Sequence, residues 1–498
     1  MSFSGHVWAT TDLFSTTWND LIAQRIKDKS FPNDPAIKNG LGYCYLDPNT
    51  GEIQGQGTNK LIKLASISKI FTSLVTLNVI KKNEKLHLSS KTNPKDFIFT
   101  TSYKVYQSVS ADGKTHFRLN IVGGYDPYFD LRKLIWSISL LNQEKIFLID
   151  EIIFSEAFFL LPTNNTDDSF LDPEKAGYIG PFLPDSVKTQ TNIKKYFNVA
   201  NIPRAKKIFQ NLKQLSSTLP DYILGINKQN AGPVMQVKKV TFSNSFAPNK
   251  DEKLFINFSL FSSATSKIIK FMNTYSHNWV AEALFQYIGK KSNYDQELKS
   301  LFGENITTEF YSGSGLPTFK ENSRQRNNNK ATCDLVLLAM QKLVAEEFQN
   351  ISFPVEIDKN IIFPLEFLGS TGEGTLKDYL PGKFFVGKSG TVNDAMNLAI
   401  IGPSSLGKIN FFMFSNLPNE RYFKEHLDDL LYDSKLTKFQ NNLKNLYKDS
   451  IQLFFEQTYT YEIPTFYDFT FGIVSEPANR ISNRETFYNI GGFKKYSY

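Results

Sequence analysis

A serine precedes a lysine by three positions at Ser66 and Lys69, a spacing that can bring a nucleophile next to its base. Residues i and i+3 lie on one face of a helix, so the Lys69 side chain can reach the Ser66 hydroxyl. Burial, or a second cation nearby, would lower the pKa of the lysine enough for it to take the serine proton. The pair therefore predicts acyl transfer through a covalent serine ester, with the helix N-terminus available to stabilise an oxyanion.

The serine–lysine pattern alone is weak evidence. It recurs at Ser405 and Lys408, inside a Gly-Pro-Ser-Ser turn where no helix is expected. Taken alone, Ser66 is better explained as a small residue at the start of an ordinary helix. Two further polar segments favour the catalytic interpretation.

The first of these segments is Ser276-His277-Asn278, which directly precedes a predicted amphipathic helix. Ser276 offers a hydroxyl that can relay a proton to a leaving amine. Asn278 offers an amide that can hold a lysine and a substrate carbonyl. Serine and asparagine are also common helix caps, so capping is the structural alternative for both.

The second segment is Lys388-Ser389-Gly390-Thr391, the only Lys-Ser/Thr-Gly sequence in the chain. We expect it to end a strand just before a turn. A lysine and a serine there can hold a substrate carboxylate, while Gly390 lets an extended peptide approach the backbone and add to the sheet edge. The structural alternative is a solvated hairpin end. The three motifs together, in this order, argue for an active site more strongly than any one of them.

Hydrophobic periodicity predicts the elements that must position these motifs. The helix that opens near Ser66 has apolar residues on nearly every side, which indicates burial among other elements. Helices are predicted over 18–25, from 66 onward, and over 129–141, 263–273, 279–288 and 332–347; strands are predicted over 41–46, 52–55, 97–105, 116–122, 146–154, 384–388 and 396–401.

The order of these elements indicates a helix–strand domain that is divided by a β-rich insertion. The predicted bounds are 1–96 with 262–498 for the catalytic domain and 97–261 for the insertion, which could hold one or two domains. Residues 431–498 are rich in tyrosine and phenylalanine, and we treat them as an extra segment of the catalytic domain with no clear element.

Composition narrows the class of protein. The 498 residues include 56 basic and 49 acidic ones, a net charge of +7 that is mild and scattered. It suits contact with anionic polymers such as cell-wall material, whereas nucleic-acid binding is not expected. No run of 18 apolar residues predicts a membrane span. The first residues lack a basic stretch followed by an apolar one, which fits either a processed chain or a cytosolic protein.

The chain has two cysteines, Cys44 in a predicted strand and Cys333 in a predicted helix. One disulfide is possible, but free buried cysteines are common, so two free thiols are favoured. No His-Glu-x-x-His spacing and no Gly-x-Ser-x-Gly elbow occur, which disfavours a zinc peptidase and a Ser-His-Asp hydrolase. We expect no metal and no organic cofactor.

The three motifs resemble those of the class C low-molecular-mass penicillin-binding proteins, the D-Ala-D-Ala carboxypeptidase/endopeptidase group. The interval from Ser66 to Ser276 is 210 residues (276 − 66), and that family carries a large insertion at this point. Further matching stretches lie at 51–52, 65–72, 123–127, 312–316 and 372–376. Two departures are Ser389, where threonine is more usual, and His277, which replaces the commoner aspartate and is expected at the surface or pointing away from the site.

The resemblance implies an α/β (α+β) fold of the serine transpeptidase and β-lactamase type, in which an antiparallel sheet is flanked by helices and a β-rich domain is inserted between the first two motifs. It also implies that Ser66 attacks the carbonyl of the penultimate D-Ala and that Lys69 takes its proton. Ser276 and Asn278 would shuttle the proton and orient the peptide. The backbone N–H groups of Ser66 and Thr391 would form the oxyanion hole.

The same resemblance implies how the substrate is held. The catalytic set would include Lys388, which with Ser389 would bind the terminal carboxylate beside Gly390 and Thr391. The substrate would be peptidoglycan stem peptides and cross-links, with β-lactams as covalent inhibitors, and the mature protein would act in the periplasm or elsewhere outside the cytoplasm. The alternatives are a β-lactamase or esterase with the same motifs, or a wall-binding homologue without activity. Oligomeric state is open.

Overall fold

The structure is a computed structural model of the 498-residue chain. It describes residues 10–31, 33, 40–47, 50–83, 93–129, 131–155, 157–158, 235–319, 326–348, 367–370, 374–377, 385–392, 395–403, 409–416, 434–454, 470–477 and 486–489. The first nine residues, the second serine–lysine pair at 405–408 and positions 372–373 of one matching stretch lie outside them.

Within these residues the α-helices, in chain order, are α1 (Thr10–Lys27), α2 (Ser68–Asn83), α3 (Leu131–Gln143), α4 (Thr265–Tyr275), α5 (Asn278–Ile288), α6 (Lys290–Phe302), α7 (Cys333–Phe348) and α8 (Ser434–Phe454). Short 3-10 helices cover Ala65–Ile67, Pro94–Asp96 and Gly374–Leu376. In the described part of the chain no helix is both long and apolar enough to cross a membrane.

The strands of the described residues are β1 (Leu41–Leu46), β2 (Ile53–Gln56), β3 (Leu61–Lys63), β4 (Ile98–Val109), β5 (Thr115–Val122), β6 (Leu148–Phe154), β7 (Gln236–Phe242), β8 (Lys253–Ala264), β9 (Thr318–Phe319), β10 (Arg326–Asn327), β11 (Lys330–Thr332), β12 (Gly369–Ser370), β13 (Val386–Val392), β14 (Ala395–Pro403), β15 (Ile409–Asn416), β16 (Thr470–Pro477) and β17 (Thr486–Asn489). All the strands and helices predicted from the sequence are present, with shifts of up to four residues at their ends, except that α1 begins eight residues (18 − 10) before its predicted start.

The chain forms two compact units. The first unit comprises Met1–Pro94 and Ile269–Ile463, and the second comprises Lys95–Ile268 and Pro464–Tyr498. The second unit therefore includes residues 464–498, which the sequence analysis grouped with the catalytic domain. The domain bounds proposed from the sequence otherwise stay a prediction.

The first unit is built on a six-stranded antiparallel sheet in the order β12-β13-β14-β15-β1-β2. Successive side chains of a strand point to opposite faces, and both faces are apolar here. Cys44 and Ala399 belong to the core that includes α2, α5 and α7. Their neighbours Tyr43 and Leu398 belong to the core that includes α1 and α8. Helices therefore flank the sheet on both sides, as the sequence predicted.

The second unit is a seven-stranded mixed sheet in the order β17-β16-β8-β4-β5-β6-β7. Strands β5, β6 and β7 are parallel, and α3 is the crossover between β5 and β6. The hydrophobic core of this unit includes residues of α3 and of these strands, such as Leu134, Ile138 and Ile152. Because β4 to β8 lie between the first two motifs in the chain, the predicted β-rich insertion is confirmed.

A disulfide joins Cys44 of β1 to Cys333 at the start of α7, so the expectation of two free thiols was wrong. The two residues are 289 positions apart in the chain. They meet because β1 and α7 pack in the same core, where both side chains are buried. A bridge that closes so long a loop typically stabilises a fold by about 2–5 kcal/mol.

Two further element predictions were incomplete. The third motif does not end its strand at Lys388, because β13 continues through Thr391 to Val392 and pairs there with Met396 and Ala395 of β14. The C-terminal region, to which no element was assigned, contains α8 and the paired strands β16 and β17.

Candidate active site

Lys69 lies at the centre of the site, and its side chain is completely buried. Its Nζ is 2.9 Å from Ser66 Oγ, 3.3 Å from Ser276 Oγ and 2.7 Å from Asn278 Oδ1. A fourth oxygen, the backbone carbonyl of Ser314, lies 3.0 Å away. The structure thus brings the first two motifs together around one nitrogen, as the sequence analysis predicted.

Ser66 is held in the 3-10 turn Ala65–Ile67 that leads directly into α2. Ala65 before it has a φ of 48°, in the left-handed region that non-glycine residues adopt only where the surrounding structure imposes it. The turn places Ser66 and Lys69 on one face at the start of the helix. Ser66 is half-buried, so its hydroxyl can meet both the lysine and an incoming carbonyl.

Ser276 and Asn278 occupy the junction between α4 and α5. Ser276 also has a left-handed φ, of 54°. The N-cap of α5 is His277, whose Nδ1 accepts a hydrogen bond from Val280 N at 3.3 Å. The capping alternative for Ser276 and Asn278 is therefore wrong, because His277 takes that role and leaves both polar side chains facing Lys69. Of the two positions expected for His277, the one at the surface is wrong, since the residue is buried.

The third motif lies on β13, the strand next to the short edge strand β12. Strand β12 pairs only with Val386 and Gly387, so among the described residues no strand pairs with the β13 edge from Lys388 to Val392. Gly390 passes close to the turn that holds Ser66, since a Cβ there would lie 2.5 Å from Leu64 O. Only glycine permits this approach, which brings the third motif beside Ser66.

Lys388 is completely buried, which contradicts the alternative of a solvated hairpin end. Its Nζ donates a hydrogen bond to the carbonyl of Ser389 at 2.7 Å. Burial, followed by the charge of Lys69, lowers the pKa of Lys388 well below its ordinary value. An anion that binds next to Lys388 would favour the charged form of the lysine and oppose the effect of burial.

The buried lysine has a measurable consequence for stability. The unfolded chain carries Lys388 charged up to about pH 10.4, whereas the folded chain holds it neutral down to its lowered pKa. Unfolding takes up a proton throughout that window, so the burial of Lys388 destabilises the fold more as the pH falls. We expect the Lys388→Met variant to exceed the wild type in stability by an amount that grows by about 1.4 kcal/mol per pH unit below pH 10.

Urea denaturation of both proteins at a series of pH values measures this difference. It should level off once the pH falls below the folded-state pKa of Lys388. Ser389→Ala is the matched control, because it changes the adjacent side chain of the same strand without removing a titratable group. A Lys388→Met stability difference that stays constant with pH would contradict a depressed lysine pKa.

The stretch at 312–316, one of those on which the sequence resemblance rests, lies against the site. Ser314 contributes the fourth oxygen around Lys69, and its N–H donates to Glu282 Oε1 at 2.8 Å. Glu282 is buried on α5, and burial raises the pKa of its carboxyl despite the hydrogen bonds from Ser314 and the charge of Lys69. The sequence analysis did not identify Glu282 as a residue of the site. Its position four residues after Asn278 in an apolar helix, which places both on one helix face, was the pattern that could have identified it.

Comparisons with known proteins show the fold. No protein-family model matches the sequence, and no curated protein does. The predatory endopeptidase Bd3459 of Bdellovibrio bacteriovorus, solved with the immunity protein Bd3460, is similar to this chain with a TM-score of 0.58 and 19% identity, covering 85% of this chain and 96% of that one. Its penicillin G acylated form has a TM-score of 0.55 and 20% identity, with the same coverage.

Penicillin-binding protein 4 of Haemophilus influenzae is similar at a TM-score of 0.50 and 15% identity, covering 87% of this chain and 98% of that one. Both neighbours share the mixed architecture with a central sheet flanked by helices. The fold of this chain is therefore the one that the class C low-molecular-mass penicillin-binding proteins have. The fold implied by the sequence resemblance is confirmed.

Proposed function

We propose that the chain is a serine D-Ala-D-Ala peptidase that cleaves peptidoglycan stem peptides, cross-links or both through an acyl-enzyme on Ser66. The observation that carries this proposal is the position of Lys69 Nζ within hydrogen-bond distance of Ser66 Oγ, Ser276 Oγ and Asn278 Oδ1. A buried lysine in contact with a serine hydroxyl is the arrangement of a nucleophile with its base.

The four oxygens around Lys69 differ in a way that orients its proton transfer. Asn278 Oδ1 and Ser314 O can only accept hydrogen bonds, whereas the hydroxyls of Ser66 and Ser276 can also donate. Lys69 can act as a base only in its neutral form, in which the amine has two N–H groups and one lone pair. The two acceptor-only oxygens take the N–H groups, which directs the lone pair of Lys69 at the hydroxyls. Lys69 is thereby set to accept the Ser66 proton.

In the proposed reaction these groups act in turn. Ser66 Oγ bonds to the carbonyl carbon of the penultimate D-Ala, its proton passes to Lys69, and the N–H groups of Ser66 and Thr391 stabilise the oxyanion. The peptide C–N bond breaks as the proton reaches the leaving amine through Ser276. Water then hydrolyses the ester by the reverse proton path, releasing the shortened peptide.

The rest of the third motif binds the peptide. The carboxylate of the terminal D-Ala, or its equivalent in a β-lactam, favours the charged form of Lys388 and pairs with it. Ser389 donates to the same carboxylate, and the extended peptide lies along β13 at Gly390 and Thr391. β-Lactams acylate Ser66 as covalent inhibitors because they present the same carboxylate and carbonyl.

Proteins of similar structure and the disulfide support this function. Bd3459 is a peptidoglycan endopeptidase that penicillin G acylates. The Cys44–Cys333 bridge fits an oxidising compartment outside the cytoplasm, which is where peptidoglycan lies. We propose a periplasmic or other extracytoplasmic location on these grounds.

The deciding experiment incubates the purified chain with a stem pentapeptide that ends in D-Ala-D-Ala and with a cross-linked muropeptide dimer. Release of D-Ala, or conversion of dimer to monomer, supports the proposal and ranks carboxypeptidase against endopeptidase action. Rapid hydrolysis of nitrocefin without either product would instead identify a β-lactamase. Binding of sacculi without any turnover would identify a wall-binding homologue.

A further inference from the structure

Glu282 is a buried carboxyl group that the proposed reaction does not use directly. It lies four residues after Asn278 on α5, so both side chains share one face of the helix. Asn278 Oδ1 accepts from Lys69, Glu282 Oε1 accepts from Ser314 N, and Ser314 O accepts from Lys69. These bonds close a ring that runs from Lys69 through α5 and back to Lys69.

The ring fixes the backbone on both sides of Ser314. On one side, the backbone N–H of Ser314 donates a hydrogen bond to Glu282 Oε1. Ser312 Oγ accepts from Gly315 N at 3.2 Å, and that N–H belongs to the same peptide unit as the Ser314 carbonyl. Thr72 on α2 donates to the carbonyl of Gly313 at 2.8 Å. The direction of the Ser314 carbonyl is therefore set by side chains of α2, α5 and the loop itself.

Two glycines allow this loop to lie so close. Gly315 has a φ of 81°, and a Cβ there would lie 1.7 Å from Ala65 O. A Cβ at Gly313 would lie 2.2 Å from Ala281 O on α5. The loop is thus packed between the residue preceding Ser66 and the helix that carries Glu282, and a displaced Ser314 would disturb the nucleophile turn as well.

We propose that Glu282 is a positioning residue, which anchors Ser314 so that its carbonyl holds one N–H of Lys69 and keeps the amine lone pair on Ser66. This inference rests on the proposed function, because it assigns Glu282 a part in the acylation of Ser66. What Glu282 supplies is a hydrogen-bond acceptor at a fixed distance. Glutamine keeps a side-chain oxygen at that position. The shorter aspartate side chain would place its carboxylate about 1.5 Å, one C–C bond, farther from Ser314 N.

The test compares Glu282→Gln, Glu282→Asp and Glu282→Ala in stopped-flow acylation by benzylpenicillin, which separates the first-order acylation rate from the noncovalent dissociation constant. We expect Glu282→Gln to acylate within about 3-fold of the wild type, because its Oε1 accepts from Ser314. Glu282→Asp and Glu282→Ala should lose about 100-fold in acylation rate, as a misplaced base does. The dissociation constant should change little in all three.

Gln286→Ala is the matched control, since Gln286 is a buried polar residue one turn further along the same face of α5. It should acylate at the wild-type rate. If Glu282→Ala does not fold, Glu282→Asp against Glu282→Gln decides. Acylation at the wild-type rate in folded Glu282→Asp or Glu282→Ala overturns the inference, as does a Glu282→Gln variant as slow as Glu282→Ala. A wild type that benzylpenicillin never acylates would refute the proposed function instead.

Discussion

The Ser66→Ala variant should gain no mass after incubation with benzylpenicillin, whereas the wild type should gain the mass of one benzylpenicillin molecule. Ser66 Oγ is the atom to which the opened β-lactam would be bonded, and alanine has no atom at that position. Lys69 and its other oxygen neighbours remain, so the drug can still bind without reacting. Intact mass spectrometry under denaturing conditions removes bound drug and detects only the covalent ester.

Two serines of this chain provide matched controls. Ser68 lies two residues beyond Ser66, and its buried hydroxyl has no hydrogen-bond partner among the described residues. Ser405 heads the second serine–lysine pair. Both Ser68→Ala and Ser405→Ala should retain the adduct in full. An adduct that persists on Ser66→Ala, or disappears only on Ser405→Ala, would reject Ser66 as the nucleophile.

The sequence was sufficient to predict the site wherever the chemistry is local. Ser66 and Lys69 meet through the geometry of a single helix start, and the order of three such motifs indicated their convergence. The elements around them followed from hydrophobic periodicity. Strand β1 and helix α5 lie within two residues of their predicted bounds.

What the sequence could not show depends on residues far apart in the chain. Cys44 and Cys333 are 289 residues apart, and no local pattern indicates that β1 and α7 share a core. Ser314 and Lys69 are 245 residues apart, so the matching stretch around Ser314 had no assignable role until the fold placed it. The pKa of Lys388 likewise depends on burial, which only tertiary packing determines.

Helix α8 was missed for a different reason. Its core residues Leu443, Leu446, Tyr447 and Ile451 follow a helical spacing and were available to inspection. Residues 431–498 were described by their aromatic composition, which does not indicate a helix. The period of the apolar residues, and not their chemical type, is the better guide to a helix in such a segment.

Lys69→Met should slow acylation by benzylpenicillin by about 10²- to 10⁴-fold, the range expected when a general base is lost. Methionine is similar in length and suits the completely buried position, but it offers no lone pair basic enough to take the Ser66 proton. Lys388 and strand β13, which we propose to bind the carboxylate, are unchanged, so the noncovalent dissociation constant should remain near that of the wild type. Stopped-flow measurements over a range of drug concentrations separate the two quantities.

Lys69→Arg distinguishes proton transfer from charge. Arginine keeps a cation near the Ser66 hydroxyl but stays protonated at all accessible pH values, so it cannot act as a base. Both variants should therefore be slow if Lys69 acts as a neutral amine. Recovery of most of the rate in Lys69→Arg would mean that charge alone activates Ser66. In that case the lone-pair orientation set by Asn278 Oδ1 and Ser314 O would have no part in the reaction, and Ser276 would have to supply the base.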